Sequence, residues 1–313
     1  MRKIDALLKS ANTIIRGKEE LVRKTFMALI AGGHILLEDV PGVGKTTLAL
    51  AFSRLTDLDF KRFQFTSDSV PADLTGFTLY DRRREKFVYQ EGPVMTNLLL
   101  ADEINRASSR TQSALLEVMA EHQVTVDGVR HELPDPFIVI ATQNPIGSAG
   151  TQFLPESQLD RFMVRLHPGY PDRDSSIALL KDRQQVDPLD RVEPVLSREE
   201  IIALQREVEQ VELKDVLYEY IVDLGEATRT HEHLALGISP RGLLALTRMA
   251  RANAMIHDRD YVIPRDITDC VGDVFKHRLI RSSEARLNNI DKDAILADIM
   301  TQVPEPYLEP VKY

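Results

Sequence analysis

Apolar and polar positions along the first half of the chain follow two alternating periods. HILLEDV reads as a short buried strand, followed by a glycine-rich turn, and the spacing of KTTLALAFSRL predicts a helix. FKRFQF alternates like a strand, NLLLADE is an apolar strand ending in carboxylates, and FIVIATQ is another. Between the last two, TQSALLEVMAEH places Leu115, Leu116 and Met119 on one helical face. Strands alternating with helices predict parallel β-α-β units. Two stretches interrupt that order. FTLYDRRREKFVYQ has alternating arms around a charged turn, and VTVDGVRHEL has Asp127-Gly128 between β-rich arms, so both are expected to be hairpins.

After about Pro171 the period becomes helical. LKDVLYEYIVDL spaces Leu213, Val216, Leu217, Tyr220, Ile221 and Leu224 by threes and fours. Ser197 with Glu200 is a capping-box pair. Pro264 is placed to open a helix carrying Ile267, Val271, Val274 and Phe275. The proline-rich VPEPYLEP is expected to be irregular. The pattern predicts an α/β domain over residues 1–170 and a smaller all-helical domain over 171–313, joined near HPGYPD.

Composition agrees with a soluble globular protein. The 313 residues suit two domains at roughly 100–200 residues each. Hydrophobic residues make up 43% and charged residues 28%, which excludes collagen-like and disordered classes. Aromatics are 6% with no Trp, favouring an Ala/Leu/Val core. The single cysteine, Cys270, excludes an internal disulfide and a cysteine-based zinc cluster, and is expected to pack on its helix. The net charge of −9 weighs against a whole-surface nucleic-acid binder. No stretch reaches the ~18 apolar residues of a membrane helix. The first residues mix Asp5, Lys9, Ser10 and Asn12 into an amphipathic pattern unlike a signal peptide, so a cytoplasmic protein is expected.

The chemistry concentrates in DVPGVGKTT, which follows a predicted strand and opens a predicted helix, the context of a phosphate-binding loop. Pro41, Gly42, Val43, Gly44, Lys45, Thr46 and Thr47 are the candidate nucleotide-binding segment. Gly42 and Gly44 let backbone N–H groups turn inward around phosphate oxygens, Lys45 reaches the outer phosphates, and Thr46 offers its hydroxyl to Mg²⁺. A helix N-terminus adds partial positive charge. The general pattern begins with Gly, where this chain has Asp39. About sixty residues on, the strand of LLLADEINRA ends in Asp102, a candidate Mg²⁺ carboxylate, and Glu103, a base that can orient water. FIVIATQNP ends in Asn144, an uncharged group able to hold the attacking water.

In order, GKTT, ADEINR, ATQNP, LPESQLDRF and GISPRG resemble the MoxR family of AAA+ ATPases, over about Ile15 to Val303. The resemblance implies a P-loop nucleotide-binding core with a parallel sheet, a helical lid, ATP and Mg²⁺ as ligands, and a ring, expected to be a hexamer. It implies that the hairpins are the insertions shared with magnesium chelatase and dynein. It matches Asn144 to a first sensor, Arg161 to an arginine finger acting on a neighbour's nucleotide, and Arg241 to a second sensor on the lid. Arg106 is a second candidate for the trans arginine. The family is associated with chaperone-like maturation or activation of partner complexes, often with partners carrying a von Willebrand factor A domain.

Competing readings are a nucleic-acid motor, a chelatase subunit, and a nucleotide-dependent scaffold without turnover; the intact Glu103 argues against the last. Arg82, Arg83 and Arg84 form the tip of the first hairpin, where a solvated turn competes with contact to a substrate. His231 and His233 in THEHL are expected to be solvated.

Overall fold

The computed structural model describes residues 2–40, 42–144, 154–182, 189 and 192–307. Two helices come first, α1 (Arg2–Ile14) and α2 (Glu19–Ile30). Ile4, Leu7, Ala11 and Ile14 of α1 recur every three to four residues and are all buried. The α/β region follows: β1 (Ile35–Glu38), α3 (Lys45–Leu55), β2 (Phe60–Gln64), α4 (Pro71–Thr75), β3 (Gly76–Asp81), β4 (Lys86–Glu91) and β5 (Leu98–Asp102). A short 3₁₀ turn at Ile104–Arg106 leads to α5 (Ser109–Glu121), β6 (Gln123–Val126), β7 (Val129–Glu132), β8 (Ile138–Gln143), α6 (Glu156–Leu159) and β9 (Val164–Leu166).

Five of these strands form one sheet in the order β2-β5-β8-β1-β9, with every neighbouring pair parallel. Its central strands are continuous apolar runs because both faces are covered. Leu98 and Leu100 face the cluster holding α3, while Leu99 and Ala101 face the cluster holding α5. The chain leaves β1 through α3 and returns at β2, on the far edge, so β1 lies where the winding reverses. Ligands of open parallel sheets bind outside the carboxyl ends of the strands at such a point. Register brings those ends level: Glu38 pairs with Gln143, and Gln64 with Asp102.

Both expected hairpins form, β3 with β4 and β6 with β7. The first leaves Phe77, Leu79, Tyr80 and Phe87 exposed, with Arg82–Arg84 in its turn.

The remaining elements are α7 (Arg173–Asp182), α8 (Arg198–Gln210), α9 (Asp215–Thr230), β10 (Leu234–Leu236), α10 (Pro240–Ile256), α11 (Pro264–Phe275), β11 (Ile280–Arg281), α12 (Ser283–Leu287) and α13 (Lys292–Gln302). The Ser197/Glu200 capping box and the Pro264 helix start are present, and Cys270 is buried on α11. This part is not purely helical, since β10 and β11 pair antiparallel. Strands of two and three residues carry too little periodicity to be read without their partner. His231 also departs from expectation. Its side chain is 5% exposed and its Nε2 lies 3.1 Å from Asp298 Oδ2, joining the end of α9 to α13. α2 packs against both α8 and α10, so one apolar cluster runs from the sheet into these helices.

Candidate nucleotide-binding site

The loop after β1 delivers the backbone to the carboxyl edge of the sheet. Gly42 and Gly44 have φ of +86° and +87°, a region glycine enters without penalty, and a Cβ built on either would meet nothing within 4 Å. The backbone here borders open space, as a phosphate cradle requires. A cleft of about 290 Å³ is lined by Gly42, Gly44, Lys45, Thr46, Thr47, Asp102, Glu103 and Asn144. Pro41 lies outside the described residues. Val43 is buried and does not line the cleft. Instead its carbonyl accepts from Lys18 Nζ at 2.7 Å.

Lys45 opens α3 at the floor of the cleft and is 8% exposed. Its ammonium donates to Asp39 O at 2.7 Å and Asn144 Oδ1 at 2.9 Å. Burial pulls its pKa below the ordinary lysine value, and Asp102, Asp39 and Glu103 oppose that shift. Asp39 braces the loop where the general pattern has glycine. Its Oδ1 accepts from Val40 N at 2.7 Å and its Oδ2 from Gly169 N at 2.5 Å. Lys18 adds a second tie, donating to Gly169 O at 2.8 Å.

The paired carboxylates at the end of β5 are held differently. Thr142 of β8 donates to Asp102 Oδ1 at 2.6 Å and accepts from Glu103 N at 2.9 Å. Arg62 of β2 donates to Asp102 Oδ2 at 2.6 Å. Glu103 adopts the left-handed region at φ 57° and ψ 47°, costly for a residue with a Cβ, by about 1–3 kcal/mol. That turn swings its carboxylate out of the strand line and over the cleft. Oε1 accepts from Asn144 Nδ2 at 3.2 Å, and Oε2 from Gln64 Nε2 at 3.0 Å and Arg106 NH1 at 2.7 Å. Asn144 therefore bridges Lys45 and Glu103. Arg106 is engaged with the carboxylate of its own chain.

The Thr46 hydroxyl and the Asp102 carboxylate are hard oxygen donors in one small cleft, a donor set that fits Mg²⁺. They are too few for an all-protein cage, in keeping with an ion that keeps waters and takes phosphate oxygens. Among the described residues no group of three or more His, Cys, Asp and Glu is arranged to hold a metal.

Arg161 and Arg241 are not in this cleft. They line a second cavity, of about 270 Å³, together with Arg248, Leu244 and His34. Arg161 follows α6 and donates to Leu116 O of α5 at 2.8 Å. Arg241 lies in the first turn of α10 and Arg248 seven residues on, the same helical face. Leu244 between them is 65% exposed. Asp160 is the one carboxylate lining this cavity, and it is engaged by Arg278 and Ser239. His34 binds through both ring nitrogens, accepting from Val139 N at 3.1 Å and lying 3.2 Å from Met119 O. Burial lowers its pKa to about 4, so the ring is neutral.

Sequence reasoning did not single out Lys18, Arg62, Gln64, Thr142, Asp160 or Arg278. Gln64 and Thr142 had a detectable signal: each is polar near the carboxyl end of an otherwise readable strand. Lys18 and Arg278 had none, because their partners lie far away in sequence.

This arrangement, a glycine cradle before a helix with two carboxylates on the neighbouring strand, defines a P-loop ATPase fold. Residues 34–164 match the ATPase family associated with various cellular activities, and residues 226–299 match the AAA lid domain. The chain is 39% identical to Chaperone MoxR1 of Mycobacterium tuberculosis, over 95% of this chain and 81% of that protein. It is 46% identical to YeaC of Bacillus subtilis, over 94% and 92%, and 29% identical to Protein MoxR of Methylorubrum extorquens, over 93% and 91%. A solved structure of a candidate ATPase from Cytophaga hutchinsonii superposes with a TM-score of 0.92 at 35% identity, covering 98% of this chain and 96% of that one. The chain belongs to the MoxR family of AAA+ ATPases.

Proposed function

We propose that this chain hydrolyses ATP with Mg²⁺ and works as a ring, a hexamer, in which each nucleotide is completed by arginines of the adjacent subunit. The observation that carries this reading is the separation of the cations. Among the described residues, no arginine lines the cleft with Lys45, Asp102 and Glu103, and Arg62 and Arg106 beside it are paired to its carboxylates. Arg161 and Arg241 face a different cavity. Phosphoryl transfer is mostly positioning and charge neutralisation, so an arginine supplied by a neighbour would add the cationic charge that speeds it. In this reading residues 1–170 are the core and 171–313 the lid.

The chemistry follows from the contacts. Lys45 holds the outer phosphates, and Thr46 with Asp102 would hold Mg²⁺, which supplies charge neutralisation at the phosphate oxygens when bound. Glu103 orients the attacking water and accepts its proton. Asn144 keeps Lys45 and Glu103 in register. Arg161 and Arg241 stabilise charge developing on the neighbour's nucleotide.

The work done is chaperone-like: maturation or activation of partner protein complexes in the cytoplasm, with a von Willebrand factor A domain protein as adaptor. Support comes from the chaperone name of the Mycobacterium tuberculosis relative and from the hairpin β3–β4. That hairpin exposes four large apolar side chains beside a basic turn, a surface suited to protein rather than to a solvated loop.

Phosphate release tests the catalytic part. Specific activity should rise with protein concentration, because an isolated subunit lacks half its site. Glu103→Gln should bind ATP, hydrolyse it very slowly and co-purify with its client. Activity independent of concentration, with no oligomer in ATP, would overturn the shared site. Salt-sensitive stimulation by DNA would replace the protein client with nucleic acid.

A further inference from the structure

Arg161 comes from the core and Arg241 from the lid, so any shared action depends on how rigidly the two carriers are joined. One carboxylate lies directly between them. Asp160 immediately precedes Arg161, and Ser239, the N-cap of α10, lies two residues before Arg241. Ser239 Oγ lies 3.0 Å from both Asp160 carboxylate oxygens, while accepting from Gly242 N at 3.2 Å to cap α10. Arg278, 4% exposed and just beyond α11, donates through Nε to Asp160 Oδ1 at 2.7 Å. Its NH2 donates to the carbonyls of Asp160 at 3.1 Å and Phe162 at 2.6 Å, and its NH1 to Met163 O at 3.2 Å and to Val274 O. Three of those carbonyls belong to the turn that contains Arg161.

We infer that Asp160, Arg278 and Ser239 form a clamp that fixes Arg161 and Arg241 relative to each other, making them positioning residues for the arginine pair a subunit presents to its neighbour. The inference rests on the shared-site reading above. A staple serving stability alone has the whole core–lid seam available. This one grips the backbone on both sides of Arg161 and the first turn of the helix that carries Arg241. Burial is the main influence disfavouring the charged form of Arg278, Arg241 adds to it, and the Asp160 carboxylate opposes both. Among the described residues, the clamp does not line the Lys45 cleft, so its loss should impair only the donated arginines.

The test uses mixed assemblies of the full chain. Asp160→Asn keeps shape and removes the charge. Alone it should bind ATP like the unaltered protein and lose turnover on the order of 10- to 100-fold, the cost of about 1 Å of misplacement. Mixed with Lys45→Ala, it should regain activity, because it supplies sound clefts and Lys45→Ala supplies sound arginines. Mixed with Arg161→Ala, it should gain nothing, because neither supplies a sound arginine pair. The control is Lys45→Ala with Arg161→Ala; if co-assembled control mixtures stay inactive, the shared-site reading fails and the clamp's role fails with it. If the control recovers and Asp160→Asn also rescues Arg161→Ala, the clamp inference alone is overturned. The same holds if Asp160→Asn cannot rescue Lys45→Ala, which would mark a general structural defect. Should Asp160→Asn fail to fold, Ser239→Ala removes a single hydroxyl and should give the same one-sided pattern more weakly, with Ser239→Thr restoring it. Two-sided complementation by Ser239→Ala would likewise overturn the inference.

Discussion

The phosphate cleft and the arginine cavity are nearly equal in size, about 290 and 270 Å³, yet they are built in opposite ways. The cleft takes its residues from the carboxyl ends of adjacent strands β1, β5 and β8, and it sets Lys45 against the carboxylates of Asp102 and Glu103. The cavity gathers residues from the start of β1, the end of α5, the turn after α6 and the first turns of α10. Its free side chains are cationic: among the described residues Arg241 and Arg248 have no ion-pair partner, while the cavity's carboxylate is already engaged. In the proposed ring, the strand-end site of one copy would be completed by the basic cavity of the next.

The largest effect expected is on the cavity side. Arg161→Ala should keep ATP affinity and lose turnover on the order of 10³-fold. Mixing it with Lys45→Ala should restore part of the activity, partial because random mixing makes only some productive interfaces. No recovery despite co-assembly would break the comparison.

On the cleft side, Lys45→Ala removes the buried ammonium that faces the phosphates. Affinity for ATP should fall by about 3 kcal/mol, on the order of 100-fold, from two charge-assisted hydrogen bonds. Titration with a fluorescent nucleotide reads this directly, and unchanged affinity would remove the phosphate-loop assignment.

Acidification should separate the two regions again. His34 lines the cavity and not the cleft, and burial holds its pKa at about 4 against an ordinary 6.5. A depressed folded pKa means that the unfolded chain binds the extra proton first. The stability contributed is complete above about 6.5 and is lost as pH falls toward about 4, reaching about 2 kcal/mol by roughly pH 5. Chemical denaturation of wild type and His34→Gln at several pH values should show a shallower fall in the variant. Parallel curves would mean that His34 does not carry this dependence.

The smallest effect is expected at Arg106, half exposed and paired with Glu103. Such a pair is worth under about 1 kcal/mol, so Arg106→Ala should change turnover by less than about fivefold. A loss as large as that of Arg161→Ala, with rescue by Lys45→Ala, would transfer the trans role to Arg106.

Much of the cleft was legible because its grammar is local. KTTLALAFSRL predicts a helix, and α3 covers those same residues. The runs NLLLADE and FIVIATQ become β5 and β8, with Asp102 and Glu103 at one strand end and Asn144 just past the other. Asp39 departs from the glycine of the general pattern, and its role as a brace is not legible locally, because Gly169 N on its carboxylate is 130 residues away. His231 looked solvated because its sequence neighbours are polar, yet Asp298 on α13 meets it. β10 and β11, of three and two residues, are shorter than the four or more over which alternation can be read.

The sequence by itself determined the strand-and-helix alternation, the phosphate loop, the paired carboxylates and the helical character of the last third. Each of these is written in residues within a few positions of one another, where backbone preference and side-chain spacing act directly. Tertiary structure decided which cavity Arg161 and Arg241 line, which groups meet at Asp160, and why Arg62 is not free. Those facts depend on contacts such as Arg278 with Asp160, 118 residues apart, which form only when the sheet has ordered its strands and α8 and α10 have packed against α2. Periodicity records which face of an element is apolar, and it carries no information about which distant charge that face will meet.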